Sequence, residues 1–187
     1  YYNKTTQNGL VAMYNTIADA STKPVILYNV PSRTGIGIQP ETYVKLAQHP
    51  NIAAIKEANS DISKIVETFA LVGDQLDIYS GNDDQIVPIL SMGGQGCISV
   101  LSNVVPKETV AITDQFFAGN VAEAARLQCQ FMPLIRSLFC ESNPIPVKAA
   151  MAALGFCENY LRLPLVPMEQ DHYETMLQRM RELGLQV

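Results

Sequence analysis

Asn51-Ile-Ala-Ala-Ile-Lys-Glu-Ala58 is the stretch whose reading decides the fold. It is apolar from Ile52 to Ile55 and ends in a lysine. A short run this apolar suits a parallel strand covered on both faces, and a cation at its carboxyl end calls for a reason. The chemical reason is nucleophilic. An amine held in apolar surroundings loses proton affinity and can attack a ketone to form a Schiff base. The plain alternative is a lysine that leaves the strand end and snorkels to solvent.

Working outward, the same pattern recurs. Gln7–Ala20 places Leu10, Val11, Tyr14, Ile17 and Ala18 on one helical face,. Pro24–Tyr28 reads as a strand, and Asn29–Gly35 as a structured loop marked by Pro31 and Gly35,. A helix opens at Gln39-Pro40-Glu41 and ends near His49-Pro50,. After the central strand, Asn59-Ser-Asp61 caps a helix bearing Ile62, Ile65, Val66 and Phe69, which Gly73 stops,. Leu76–Ser80 is a third strand, Asp84–Met92 a short helix and Cys97–Leu101 a fourth strand.

The strand ends Tyr28, Lys56, Ser80 and Leu101 lie 28, 24 and 21 residues apart, the length of a βα unit,. Repeated βα units predict an α/β fold with a parallel sheet, either doubly wound or part of a (β/α)8 barrel. Both architectures put the functional site at the carboxyl ends of the strands, where Tyr28, Lys56 and Ser80-Gly-Asn-Asp83 fall. The last third is helical, with spans at Pro106–Phe117, Val121–Cys140, Pro146–Leu154 and Met168–Leu183,. These spans suggest an appended bundle, a natural surface for oligomer contacts.

Composition narrows the function. The chain has 187 residues, 48% hydrophobic, with a net charge of −5 and no basic run, so neither nucleic acid nor an anionic membrane is expected as partner,. No apolar run is long enough for a membrane helix, and the chain reads as cytoplasmic,. Cys97, Cys129, Cys140 and Cys157 lie far apart, without a CxxC pair or a histidine at ligand spacing. They read as buried free thiols in a reducing compartment, and no metal site is expected.

Tyr28 ends its strand one βα unit before Lys56, so phenol and amine can project from one rim and pass protons to an amine-bound carbonyl,. A core tyrosine satisfied at the sheet edge is the alternative. Arg33, in Pro-Ser-Arg-Thr-Gly35, can take a carboxylate bidentately or simply face solvent,. Gly93-Gly-Gln-Gly96 precedes a strand and reads as a tight turn instead of a phosphate cradle,. His49 and His172 have no partner nearby in sequence and read as structural; Asp83 and Asp84 fit a metal pair or a helix cap,.

Taken together, Tyr1-Tyr-Asn-Lys4, Tyr28-Asn-Val-Pro-Ser-Arg-Thr-Gly35, Ile55-Lys-Glu-Ala58, Ser80-Gly-Asn-Asp83, Gly93-Gly-Gln-Gly96 and Asn143-Pro-Ile-Pro-Val-Lys148 carry a resemblance. The chain resembles the dihydrodipicolinate synthase family, pyruvate-dependent Schiff-base aldolases to which N-acetylneuraminate lyase also belongs. The tyrosine-to-glycine loop with its arginine matches the synthase branch.

The resemblance implies a lyase of lysine and diaminopimelate biosynthesis. It would condense pyruvate with L-aspartate-4-semialdehyde to 4-hydroxy-tetrahydrodipicolinate, with no cofactor. Lys56 is then the Schiff-base lysine, Tyr28 the proton relay and Arg33 the partner of the semialdehyde carboxylate. Tyr2 is a relay tyrosine given to a neighbouring subunit, in a homodimer or homotetramer with a shared site. Gly81 and Ile98 line the pyruvate pocket. Family members begin with about four further βα units of a TIM barrel. The chain is therefore expected to be a fragment or partial gene product: residues 1–118 as the C-terminal half-barrel of about four βα units, and 119–187 as a C-terminal helical region. Another pyruvate-type aldolase or lyase, such as N-acetylneuraminate lyase, and a non-catalytic half-barrel are the competing expectations.

Overall fold

The structure, a computed structural model, describes residues 4–187; Tyr1 and Tyr2 lie outside the described residues. The contacts of the chain divide it into two compact units, Tyr1–Ile98 and Ser99–Val187.

The first unit alternates helices and strands. Helix α1 (Gln7–Ala20) starts at Thr6, whose hydroxyl accepts from the Gly9 N–H at 3.1 Å,. It is followed by β1 (Val25–Asn29), α2 (Pro31–Thr34), α3 (Pro40–Leu46) and β2 (Ile52–Glu57). Asp61 caps α4 (Ile62–Val72) by accepting from Ser63 and Lys64 N–H groups at 3.0 and 3.3 Å. Then come β3 (Asp77–Ser80), a 3-10 turn at Asp83–Gln85, α5 (Ile86–Ser91) and β4 (Gly96–Cys97).

The four strands form one parallel sheet in sequence order. In-register pairs place Leu27 beside Ile55 and Ile55 beside Ile78, and all three are buried with Tyr43, Leu46 and Ile65 of the helices. Burying each such aliphatic side chain contributes about 1.5–3 kcal/mol. This apolar layer fixes the sheet's register, because a slip of one residue would turn every one of these side chains to the opposite face.

Three expectations need correction. The fourth strand is only Gly96–Cys97: the Ile98 N–H still bonds to the Ser80 carbonyl at 2.8 Å, but Ser99 then turns the chain, its hydroxyl accepting from the Ser102 N–H at 2.9 Å. The loop Asn29–Gly35 contains α2, with Pro31 at its first turn and Gly35 as a left-handed cap at φ 68°,. The cysteines are free, but Cys129, Cys140 and Cys157 are exposed and only Cys97 is partly buried.

The second unit is helical: α6 (Leu101–Val104), α7 (Pro106–Phe117), α8 (Val121–Leu138), α9 (Ile145–Ala153) and α10 (Gln170–Glu182). Its own core gathers Leu101, Leu134, Leu138, Ala150, Met176 and Met180. Among the described residues, no helix is long and apolar enough to cross a membrane.

Candidate active site

The site grows out of strand parity. Tyr28 pairs with Lys56 and Lys56 with Tyr79, so the three side chains stand on one face of the sheet,. The alternate residues Asn29, Glu57 and Ser80, also in register, face the helices and are buried. The ends of β1, β2 and β3 therefore each present a tyrosine or lysine on one face and a buried polar anchor on the other.

On the open face, the Lys56 Nζ sits 4.3 Å from the centroid of the Tyr28 ring, and Tyr28 is 40% exposed. Lys56 is half-buried and its ammonium is held below the usual lysine range, first by burial. The Asp83 carboxylate opposes that shift and the Arg33 charge adds to it. An amine biased toward its neutral form beside a phenol is the pair that imine chemistry needs. Arg33 rides on the exposed side of α2, placed by the proline and glycine that bound that single turn.

Gly81 is required by close approach. A Cβ there would meet Ala58 Cβ at 2.9 Å, the Glu57 carbonyl at 3.0 Å and Lys56 Cγ at 3.1 Å. Its N–H donates to the Glu57 carbonyl at 2.6 Å, holding the loop after β3 against the lysine. Ile98, 38% exposed, follows directly on β4. Tyr28, Lys56, Gly81 and Ile98 thus all lie at the carboxyl ends of the four strands, with Arg33 in the loop after β1. Tyr2 lies outside the described residues. A cavity of about 270 Å³ between α1 and β1 has Tyr28 and Thr34 on its wall but not Lys56.

The residues that sequence reading missed are beneath the rim. The Glu57 carboxylate, 2% exposed, accepts from Asn29 Nδ2 at 2.9 and 3.1 Å, from the Tyr43 hydroxyl at 3.2 Å and from the Asn59 N–H at 2.7 Å. Asn29 in turn accepts from the Ile38 N–H at 3.0 Å. Burial raises the Glu57 carboxyl, and the donors from Asn29, Asn59, Tyr43 and Ala58 pull the other way. Burial, then the Glu57 charge, pushes the Tyr43 phenol well above its ordinary value, so Tyr43 keeps its proton and donates it. The signal was in the sequence: Glu57 shares parity with buried Ile55, as Asn29 does with Leu27.

Two further groups are set aside by their chemistry. Burial and the Asp83 charge push the Cys97 thiol up to about 11, which keeps it protonated at neutral pH and out of nucleophilic work,. His49 accepts from the Asn51 N–H through Nδ1 at 3.1 Å and meets Asp19 through Nε2 at 3.1 Å, a structural clasp.

Comparison with known proteins gives a consistent picture. The family model described as the Dihydrodipicolinate synthetase family matches residues 1–183. A 4-hydroxy-tetrahydrodipicolinate synthase of Alkaliphilus oremlandii is 50% identical over 185 residues, 99% of this chain and 64% of that relative. The crystal structure of a dihydrodipicolinate synthase from Thermotoga maritima superposes with a TM-score of 0.96 at 43% identity, covering 100% of this chain and 64% of that one. A chloride-inhibited dihydrodipicolinate synthase from Acinetobacter baumannii, complexed with pyruvate, gives 0.95 at 37% identity over 100% and 64% of the two chains. The chain therefore spans just under two thirds of the length of the relatives it matches.

Proposed function

The chain belongs to the dihydrodipicolinate synthetase family, and on that premise we propose that it carries the Schiff-base half of a 4-hydroxy-tetrahydrodipicolinate synthase site. The reaction joins pyruvate to L-aspartate-4-semialdehyde. One observation carries the reading: Lys56, its ammonium held below the usual range, lies against Tyr28 on the open face at the strand ends. The pyruvate-bound relative from Acinetobacter baumannii supports the choice of first substrate.

In this reading the neutral Lys56 Nζ attacks C2 of pyruvate. The carbonyl oxygen leaves as water, with Tyr28 passing protons between the amine and the departing hydroxyl. The iminium draws electrons as C3 gives up a proton, and the resulting enamine carbon attacks the aldehyde carbon of the semialdehyde. The aldehyde oxygen becomes the product hydroxyl. The amino group of the semialdehyde then displaces Nζ at C2, closing the ring and freeing Lys56. Arg33 takes the semialdehyde carboxylate as a bidentate partner. Gly81 leaves room beside Lys56, and Ile98 gives an apolar wall to the pyruvate methyl. Tyr2 completes the relay from a neighbouring subunit of a homodimer or homotetramer, in the cytoplasm.

The sheet reads as half of a (β/α)8 barrel, with residues 1–118 as the half-barrel and 119–187 as the helical region that follows it. Four parallel strands in sequence order support this, as does Ile26 at 49% exposure beside Tyr28 on the face that a closed barrel fills with side chains,.

Incubation of the chain with pyruvate and borohydride, followed by peptide mapping, tests the proposal. The expected result is one reduced pyruvyl adduct, located on Lys56 and lost in Lys56→Ala. A folded sample that forms no adduct, or forms it equally in Lys56→Ala, overturns it.

A further inference from the structure

A second cluster of chemically active side chains lies in the helical unit, where the Schiff-base chemistry makes no use of it. Cys140 and Glu141 follow the end of α8, and His172 sits in the first turn of α10, 31 residues beyond Glu141. The His172 Nδ1 is 2.8 Å from Glu141 Oε1, and these atoms lie with Cys140 Sγ within 4.8 Å of one another. Neither histidine nor cysteine is an accident of one flexible loop. Leu138, completely buried, anchors the end of α8, while Met168 and Met176 anchor the chain on either side of His172 in the same apolar core.

Two of the three ligand atoms are also held from behind. The Glu169 N–H donates to Glu141 Oε1 at 3.1 Å, and Cys140 Sγ lies 3.2 Å from the Ser137 carbonyl. Such contacts orient a donor without consuming its whole capacity, since a carboxylate has about four acceptor sites. Of the three, His172 also lines a cavity of about 350 Å³ that runs along Glu169–His172.

From this convergence we propose that Cys140, Glu141 and His172 form a binding site for a zinc-class divalent metal ion, closing the end of α8 onto the start of α10. A thiolate, an imidazole and a carboxylate make a mixed set that suits zinc and disfavours magnesium and calcium, which prefer oxygen alone. Zinc bonds of about 2.0–2.3 Å place tetrahedral ligands roughly 3.3–3.7 Å apart. The present separations, 2.8 Å between His172 and Glu141 and no more than 4.8 Å across the three, bracket that spacing, and the His172–Glu141 hydrogen bond opens to admit the ion. On binding, Cys140 gives its thiol proton to solvent. His172 coordinates through Nδ1 and carries its proton on Nε2, and solvent fills the fourth position. The site is independent of Lys56, so it stands or falls separately from the proposed synthase chemistry.

Cobalt(II) titration of the full reduced chain reads the site directly, because a cobalt–thiolate bond gives a near-ultraviolet charge-transfer band. The expected result is a saturable band at one equivalent, erased by zinc and by Cys140→Ser, with His172→Ala weakening affinity at least tenfold. The exposed Cys129 and Cys157 provide the control, since Cys129→Ser and Cys157→Ser leave the band intact. Circular dichroism verifies that each variant is folded, and Glu141→Gln, which keeps an acceptor for the Glu169 N–H, provides a milder ligand change with the same expected loss. The absence of a saturable band, or a band that survives Cys140→Ser, overturns the proposal.

Discussion

The strand ends of the first compact unit and the helices of the second hold buried polar groups in different ways. At the strand ends of the first, Asn29, Glu57, Ser80 and Asp83 are between 1 and 2% exposed, and the Glu57 carboxylate on β2 ties together β1, helix α3 and the loop after β2. In the second, the buried hydroxyls of Thr109 and Ser137 bond to carbonyls one turn back in their own helices, at 2.8 and 3.2 Å, and the rest of the centre is largely aliphatic. Local satisfaction of that kind supports packing alone. A long-range network that spends a buried carboxylate is harder to maintain, and its location directly behind Tyr28 and Lys56 suits it to hold the proposed Schiff-base rim in place.

That contrast can be broken by substitution. Glu57→Leu strands donors from Asn29, Tyr43 and Asn59, and should lower the unfolding free energy by about 4 kcal/mol in urea titrations while suppressing pyruvate trapping in the molecules that remain folded. Leu134→Ala, in the aliphatic core, should cost about 3 kcal/mol by the same measurement yet leave trapping per folded molecule unchanged. If the two variants lose trapping equally, the distinction between the units fails. Gly81→Ala pushes a methyl group into Ala58 and Lys56, and about 2 kcal/mol with a trapping rate down about tenfold is expected,. Tyr43→Phe removes one of the donors to Glu57, for about 1 kcal/mol and a small change in trapping,.

Much of this arrangement was legible in the chain. The helix Gln7–Ala20 has the bounds its periodicity predicts, and the apolar run before Lys56 is a buried parallel strand. What escaped were features set by distance in space or by very short length. The turn α2 has only four residues, too few for any period, although its proline and glycine bracket it. The fourth strand was read too long because Ile98-Ser-Val-Leu101 has strand-like residues, while Ser99 hydrogen-bonds the chain into the next helix. Glu57 was passed over as part of a strand end, though its parity with Ile55 already pointed it inward. His172 meets Glu141 through tertiary packing, which no local pattern encodes.

The central claim is that Lys56 is a lysine of depressed proton affinity poised to form an imine. Reductive trapping of pyruvate on the intact chain, followed across pH and quantified on the Lys56 peptide, tests it most directly. Burial lowers the Lys56 value, so the neutral amine fraction rises at lower pH than for an ordinary lysine,. The predicted rate at Lys56 therefore reaches half its maximum below about pH 10.4, the ordinary lysine value, and outpaces every other lysine at neutral pH. A midpoint at or above that value, or an adduct spread evenly over the exposed lysines, would contradict the account.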